Sequence, residues 1–154
     1  MPESHSPANA SPNLAELFSK VKTIAVVGYS DKPERAGHFV PAYLREAGYA
    51  IIAVNPKFSA SVNGFPAYPD LASIPPETVV DVVDVFRSPE AVPAIVDDAA
   101  SRSPRPACFW MQPGAENEAA AEKARMLGMV PILGLCMLAE HKRLVVAGSL
   151  PARR

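Results

Sequence analysis

Short, continuous runs of apolar residues recur along the chain, and each ends in turn-forming or small polar residues. Runs of this kind, rich in β-branched residues and too short for helices, predict strands that are buried on both faces of a sheet. The predicted strands lie at 23–27, 50–54, 79–86, 107–111 and 130–133.

Apolar residues three and four positions apart predict helices between these strands. The first of these helical segments contains Phe39, Val40, Tyr43, Leu44 and Ala47. The next helix opens at Ser88-Pro89-Glu90, and another runs from about Asn117 to a stop at Gly128. Shorter helical segments are predicted at 11–19 with Ser11 as the N-cap, at 70–74, and as a last turn at 138–142.

Strands and helices alternate along the chain, apart from a turn-rich loop through Gly64 and Pro66. This order predicts an α/β fold: a single Rossmann-type, doubly wound parallel sheet of about five strands with helices on both faces. We expect the domain to span 13–145, between a disordered N-terminal tail at 1–12 and a C-terminal tail at 146–154. No internal repeat and no second domain are expected.

The composition is that of an ordinary globular domain, since 49% of the 154 residues are hydrophobic and 20% are charged. The formal net charge of −1 argues against nucleic acid or a membrane surface as a partner. The N-terminus lacks a signal-peptide pattern, and the longest apolar run, 129–139, is too short to span a membrane. Two widely separated cysteines, Cys108 and Cys136, favour reduced thiols in a cytoplasmic protein.

The residues that follow the predicted strands are the candidates for a ligand site, because a doubly wound sheet binds its ligand beyond the carboxyl ends of the strands. They combine glycine, proline, small polar residues and single cations, a mixture that suits an anionic nucleotide. The strand ends carry Gly28-Tyr29-Ser30, Asn55-Pro56-Lys57, Phe86-Arg87-Ser88, Gln112-Pro113-Gly114 and Leu135-Cys136.

The loop at 28–33 follows the first strand and leads to a helix, which is the position of a phosphate-binding loop. Gly28 permits the close approach of a phosphate, and Ser30 offers a hydroxyl. Cationic donors in the same segment are Lys32, Arg35 and His38. The alternative interpretation is that Gly28 only makes a tight turn and that the charged side chains face water.

This loop departs from the dinucleotide fingerprint Gly-x-Gly-x-x-Gly, because Ser30 and Pro33 stand where glycines are required. The acidic residue that binds a ribose 2′-hydroxyl is also missing after the second strand, where Lys57 is found. A cation there suits a phosphorylated ribose, as in NADP or in the 3′-phospho-ADP part of coenzyme A. Arg87 offers a guanidinium for a further phosphate.

Candidate catalytic groups are few. No histidine pair has the spacing of metal ligands, and no nucleophile elbow is present. Asp81 and Asp84 lie in the third strand and do not form an acid–base pair, while Trp110 is expected in the core. Cys136 lies near the expected mouth of the site, where a reactive thiol and an inert, buried cysteine both remain open interpretations. The sequence assigns no catalytic residue and no metal ligand.

Four segments of the chain together resemble a known family. These segments are VVGYSDKPER at 26–35, VNPK at 54–57, VVDVFRSPE at 82–90 and WMQPG at 110–114. They resemble the small stand-alone CoA-binding proteins, which are similar to the N-terminal CoA-binding domain of the succinyl-CoA synthetase α subunit. The resemblance covers about 14–141 and implies a Rossmann-type fold that binds coenzyme A.

By this resemblance, the first loop meets phosphates, Pro56 and Lys57 meet the phosphorylated adenosine, and 112–114 forms the far wall. Phe86 and Arg87 meet the adenine and phosphates. The predicted CoA contacts are Gly28, Tyr29, Ser30, Lys32, Arg35, Asn55, Pro56, Lys57, Phe86, Arg87, Gln112, Gly114 and Cys136. The chain departs from the family at 134–135, where an Asp-Arg or Asn-Arg pair is usual, and at Pro113, where an apolar residue such as Leu is usual.

The sequence therefore predicts a module that binds coenzyme A or an acyl-CoA, for binding or regulation, without chemistry of its own. The synthetase's phosphorylated histidine lies in a second domain, so ligase activity is not carried over. Two alternatives remain at this point: an NADP-dependent oxidoreductase, and a CoA-linked thiol redox protein that uses Cys136.

Overall fold

The computed structural model describes residues 12–153, which form a mostly parallel sheet of seven strands between two layers of helices. The strands are β1 Thr23–Val27, β2 Ala50–Val54, β3 Ser61–Val62, β4 Phe65–Tyr68, β5 Val82–Val85, β6 Cys108–Met111 and β7 Val130–Leu133. The helices are α1 Leu14–Lys20, α2 Ala36–Glu46, α3 Val92–Ala100, α4 Glu118–Met126 and α5 Met137–Val146, with 3₁₀ turns at Leu71–Ser73 and Pro89–Ala91. The predicted α/β, Rossmann-type class is confirmed.

The order of the strands across the sheet is β3-β4-β2-β1-β5-β6-β7. All adjacent pairs are parallel except β3 and β4, which form an antiparallel hairpin at one edge. The chain moves outward from β1 in one direction through β2 and β4, then returns and continues in the other direction from β5. The order therefore reverses between β1 and β5, and a crevice opens beyond the carboxyl ends of these two strands.

The sheet separates two apolar cores because successive strand residues point to opposite faces. On one face, side chains such as Val26, Val82 and Trp110 pack against α1, α2 and α5. On the other face, side chains such as Val27, Val83 and Phe109 pack against α3 and α4. The central strands are buried on both faces, which explains their continuous apolar runs in the sequence.

Two helix boundaries follow from capping chemistry. The side chain of Asn13 accepts a hydrogen bond of 3.0 Å from the backbone N–H of Glu16, and Asn117 caps α4 in the same way through Ala120 at 2.9 Å. The prediction of Ser11 as the first N-cap falls outside the described residues, and the cap within them is Asn13. Asn117 therefore begins its helix as predicted.

The structure differs from the predicted elements at four places. The sheet has seven strands instead of about five, because the loop through Gly64 and Pro66 folds into the β3–β4 hairpin and β4 pairs with the end of β2. The last helical turn predicted at 138–142 is a ten-residue helix, since Leu144 continues its buried face beyond the charged residues. The segment predicted at 70–74 is a 3₁₀ turn, and the third predicted strand is confined to Val82–Val85.

Candidate functional site

Two adjoining cavities, of about 300 and 230 Å³, lie beyond the carboxyl ends of β1 and β5. Together they form the carboxyl-end crevice, because they have a common wall. The residues of this shared wall are Gly28, Ser30, Arg35, Phe86 and Arg87. The crevice therefore coincides with the point where the strand order reverses, as expected for a doubly wound sheet.

Gly28 ends β1 with a positive φ of 90°, a conformation that residues with a side chain rarely adopt. A β-carbon at this position would overlap the carbonyl oxygen of Phe86 and would lie 3.1 Å from Cδ of Arg87. The absence of a side chain lets the ends of β1 and β5 approach each other. Glycine is thus required at the floor of the crevice for two independent reasons.

A second glycine, Gly37 in the first turn of α2, closes the other side of this floor. A β-carbon on Gly37 would lie 2.9 Å from the carbonyl oxygen of Gly28 and 3.6 Å from the Phe86 ring. Pro41 follows four residues later and has no N–H, so the Gly37 carbonyl lacks its usual helical donor. That carbonyl accepts the backbone N–H of Ser30 at 3.1 Å instead, which attaches the loop to the helix.

The loop between β1 and α2 is ordered by its own hydrogen bonds. The Ser30 hydroxyl oxygen accepts the backbone N–H of Lys32 at 3.1 Å, and the N–H of Arg35 donates to the carbonyl of Lys32 at 3.0 Å. His38 donates from Nδ1 to the carbonyl oxygen of Ser30 at 2.9 Å. The Ser30 hydroxyl keeps its own proton for donation toward the crevice.

The end of β2 forms the wall next to this loop. Asn55 donates from its side chain to the carbonyl of Tyr29 at 3.0 Å, and its Oδ1 accepts the backbone N–H of Lys57 at 2.9 Å. One side chain therefore fixes both neighbouring strand ends. Lys57 and Phe58 line the smaller cavity beyond it.

Four cationic side chains border the crevice, and all four are exposed to solvent. They are Lys32, Arg35, Lys57 and Arg87. Within residues 12–153, none of them has an ion-pair partner or a side-chain hydrogen bond. The lining contains a single carboxylate, Asp31, so the crevice presents an excess of uncompensated positive charge.

The larger cavity continues from the shared wall toward the end of β6. Its additional lining residues are Ala36, Gly37, Ser88, Pro113, Gly114 and Ala115. The sequence did not single out Gly37 or Ala115, and the only sequence signal for Gly37 is its position at the start of the helix after the first loop. Gly114 lines the cavity with a φ of 95°, and a β-carbon added to it would meet no heavy atom within 4 Å.

Most of the residues predicted from the sequence are brought together by this crevice. Tyr29 contributes to its lining while its ring is buried against Phe65, with ring centroids 5.5 Å apart. Three predicted residues do not line either cavity: Pro56 is exposed in the turn after β2, Gln112 is buried, and Cys136 precedes α5 against the core. Their contact with a ligand stays a prediction. The predicted residues that do line it are Gly28, Tyr29, Ser30, Lys32, Arg35, Asn55, Lys57, Phe86, Arg87 and Gly114.

The buried polar residues lie behind the crevice. Asp84, in the middle of β5, is fully buried, and burial raises its pKa to about 7. Its Oδ1 accepts a hydrogen bond of 2.8 Å from Nε2 of Gln112, whereas Oδ2 has no partner. Burial and the nearby Asp84 both raise the pKa of the Cys108 thiol. Cys108 is therefore an inert core residue rather than a nucleophile.

Neither a metal centre nor a membrane-spanning helix is found within residues 12–153. No group of three or more histidine, cysteine, aspartate or glutamate side chains is arranged there to hold a metal ion. None of the helices in this range combines the length and the apolar character that crossing a bilayer requires.

Comparison with known proteins identifies the family. Residues 22–142 match the CoA binding domain family. The uncharacterised protein YneT of Bacillus subtilis (strain 168) is 34% identical over 128 residues, which cover 83% of this chain and 91% of YneT. A hypothetical protein from Pyrococcus horikoshii OT3 has 34% identity and a TM-score of 0.81, covering 94% of this chain and 99% of that one. A Thermus thermophilus structure has 35% identity and a TM-score of 0.78, covering 85% of this chain and 96% of that one. The chain therefore belongs to the CoA-binding domain family.

Proposed function

We propose that this chain binds coenzyme A, free or acylated, in the carboxyl-end crevice and acts as a binding or regulatory module without chemistry of its own. The observation that carries the proposal is the set of four unpaired cations, within the part of the chain described, around a crevice whose floor is kept open by two glycines. Membership of the CoA-binding domain family supports the choice of ligand.

The pyrophosphate of coenzyme A suits the shared wall of the crevice. Gly28 has no side chain to hinder a phosphate, and Ser30 has a hydroxyl proton to donate. The first turn of the eleven-residue helix α2 adds backbone N–H groups and the positive end of a helix dipole. Arg35 precedes this turn and supplies a formal positive charge beside it.

The 3′-phosphate of coenzyme A suits Lys57. This residue follows β2 at the place where proteins that bind an unphosphorylated ribose carry an acid. Its backbone is held by Asn55, while its ammonium group is available to bind an anion in the smaller cavity. Arg87, on the shared wall, is placed between the two cavities and can serve either phosphate group.

A role without chemistry is supported by the lining of the crevice. Among the described residues that line it, apart from the hydroxyl and cationic groups that suit phosphates, there is one carboxylate, Asp31, and no cysteine or histidine. The Ser30 hydroxyl oxygen accepts the backbone N–H of Lys32, and within residues 12–153 no hydrogen bond joins this hydroxyl to a side-chain base. A nucleophile paired with a base is the usual requirement for group transfer.

Isothermal titration of the full chain with coenzyme A, acetyl-CoA, 3′-dephospho-CoA and NADPH tests this proposal. We expect both CoA ligands to bind, dephospho-CoA to bind more weakly, and NADPH to bind weakest. No heat with coenzyme A at millimolar concentration contradicts the proposal. Tighter binding of NADPH than of coenzyme A instead supports an oxidoreductase.

A further inference from the structure

One buried ionisable group lies directly behind the wall of the crevice. Asp84 precedes Phe86 by two residues along the same strand direction, so the two Cα atoms are about 7 Å apart. The Phe86 side chain lines both cavities, and Asp84 points from the same face of the sheet. That face also carries Val26 on β1 and Trp110 on β6, which stand beside Asp84 in register.

Only one of the two carboxyl oxygens of Asp84 has a hydrogen-bond partner in the described chain. Gln112 donates to Oδ1 at 2.8 Å, while Oδ2 is buried without any hydrogen-bond partner in the described chain. A buried carboxylate with one donor is poorly stabilised as an anion, whereas the neutral acid needs less compensation. Burial accordingly raises the pKa of Asp84 to about 7, so both forms are populated near neutral pH.

We propose that Asp84 couples ligand binding to protonation: an anion in the carboxyl-end crevice favours the neutral acid, and ionisation of Asp84 weakens the binding of that anion. This inference rests on the proposed function, because it needs a polyanionic ligand in the crevice. It adds to that function a pH dependence of ligand affinity, which arises from a buried group behind the wall of the crevice. Asp84 does not contact the ligand; its charge changes the electrostatic field in the crevice and so regulates binding.

The direction of the effect follows from linkage. Repulsion between like charges disfavours the ionised form in the complex, so a bound anion raises the pKa of Asp84 above its value of about 7 in the free protein. Affinity is then constant below the pKa of the free protein, falls as pH rises, and levels off above the pKa of the complex. A shift of one pKa unit corresponds to about a tenfold change in affinity.

Other titratable groups near this face have distinguishable effects. On β6, the Cys108 thiol has a raised pKa and stays neutral in this range, and β1 contributes no titratable group in register with Asp84. On α2, His38 donates from Nδ1 to the Ser30 carbonyl oxygen at 2.9 Å, so the variant His38→Gln separates its contribution from that of Asp84. The pair of Tyr43 on α2 and His141 on α5 is joined by a hydrogen bond of 2.8 Å, and burial lowers the pKa of His141.

The ligand itself also titrates. A phosphate monoester has its second pKa near about 6, so the 3′-phosphate of coenzyme A gains charge and affinity as pH rises, with the opposite sign. The probe is therefore 3′-dephospho-CoA, which lacks this group. Its affinity is measured between about pH 6 and pH 9 for the wild type, Asp84→Asn and His38→Gln, with proton uptake measured in buffers of different ionisation enthalpy.

For the wild type and His38→Gln, we expect the dissociation constant to rise about tenfold above pH 7, with proton uptake on binding in that window. Asp84→Asn should bind with an affinity that hardly changes with pH and without proton uptake. The same pH dependence in wild type and Asp84→Asn overturns the inference, as does a flat profile for the wild type. If no CoA ligand binds at any pH, the proposed function itself fails.

A second measurement avoids the risk that Asp84→Asn folds poorly. The ¹³C shift of the Asp84 carboxyl, followed by NMR in wild-type protein labelled at aspartate, reports its pKa directly. We expect a pKa near 7 in the free protein and a value about one unit higher with 3′-dephospho-CoA bound. An unchanged pKa on binding contradicts the coupling.

Discussion

The two ends of the sheet use their polar side chains in different ways. At the amino end, Asp81 accepts the backbone N–H groups of Lys22 and Thr23 at 2.8 and 2.9 Å. Arg102, at the same end, donates to four backbone carbonyls of the loop that leads to β5, at distances of 2.9 to 3.2 Å. These charged groups satisfy the protein's own backbone.

At the carboxyl end, four cations border a crevice and have no protein partner within residues 12–153. Charged groups that complete loops stabilise the fold, whereas charged groups left without partners add repulsion unless an anion binds between them. We therefore expect stability and ligand binding to be separable in this chain. Substitutions at the two ends should affect different measurements.

The largest effect is expected at Gly28, where the fold and the site cannot be separated. Gly28→Ala adds a β-carbon that overlaps the Phe86 carbonyl and imposes a positive φ on a side chain. We expect a loss of about 4 kcal/mol in the free energy of unfolding, together with loss of CoA binding. Denaturant titration and calorimetry measure the two effects.

Gly128→Ala is the matched control for this substitution, because Gly128 has a similar φ of 87° and a β-carbon added there would meet open space. We expect Gly128→Ala to lower the free energy of unfolding by about 1 kcal/mol, from backbone strain alone. If Gly28→Ala costs no more than Gly128→Ala, the close approach of β1 and β5 does not explain the glycine.

The next effect is expected at the amino end. Arg102→Ala leaves four loop carbonyls without their donor, so we expect a loss of about 3 kcal/mol in the free energy of unfolding. CoA affinity should be unchanged under conditions where the variant is folded, because Arg102 lies at the opposite end of the sheet. If Arg102→Ala is as stable as the wild type, or if its folded form binds coenzyme A more weakly, the two ends of the sheet do not have separate roles.

The sequence was most informative where one local rule decides the structure. Continuous apolar runs marked the central strands, and the residues directly after them marked the strand ends that meet at the crevice. It failed where pairing depends on distant residues. The β3–β4 hairpin has few residues per strand and carries Pro66, so only its contact with the end of β2 makes it part of the sheet.

The same limit applies to the site. Gly37 and Pro41 look like an ordinary helix start in the sequence, and their effect appears only because the Gly37 carbonyl meets Ser30. Likewise, Asp84 and Gln112 are 28 residues apart and meet only because β5 and β6 are neighbours. Gln112 was predicted at the far wall of the site; its buried side chain donates to this carboxyl group, and its contact with a ligand stays a prediction.

Substitution of Arg87 tests the role of the carboxyl end in binding without a change in the stability of the fold. Arg87→Ala removes an exposed guanidinium that has no ion-pair partner in the described chain, so the free energy of unfolding should change by less than about 0.5 kcal/mol. We expect the dissociation constant for coenzyme A, measured by isothermal titration, to rise about 30-fold, which corresponds to the loss of a charge-assisted hydrogen bond to phosphate.

Arg143→Ala provides the control for Arg87→Ala, since Arg143 is exposed and paired with Glu140 at 2.8 Å on α5. It should leave both stability and affinity almost unchanged. Equal affinities for Arg87→Ala and Arg143→Ala would mean that the unpaired cations at the crevice are merely solvated.

The smallest effect is expected for Lys57→Ala, which should weaken the binding of one ligand and not the other. Lys57→Ala removes the cation that we assign to the 3′-phosphate, so coenzyme A should bind about tenfold more weakly, whereas binding of 3′-dephospho-CoA should change by less than about twofold. Lys22→Ala, at an exposed lysine of the amino end, should change neither affinity. An equal loss for both ligands would place Lys57 at the pyrophosphate. A general electrostatic field acts more strongly on coenzyme A than on 3′-dephospho-CoA, because the 3′-phosphate adds negative charge. Lys22→Ala removes the same positive charge away from the crevice, so only a selective loss at Lys57 beyond that of Lys22→Ala indicates a direct contact with the 3′-phosphate.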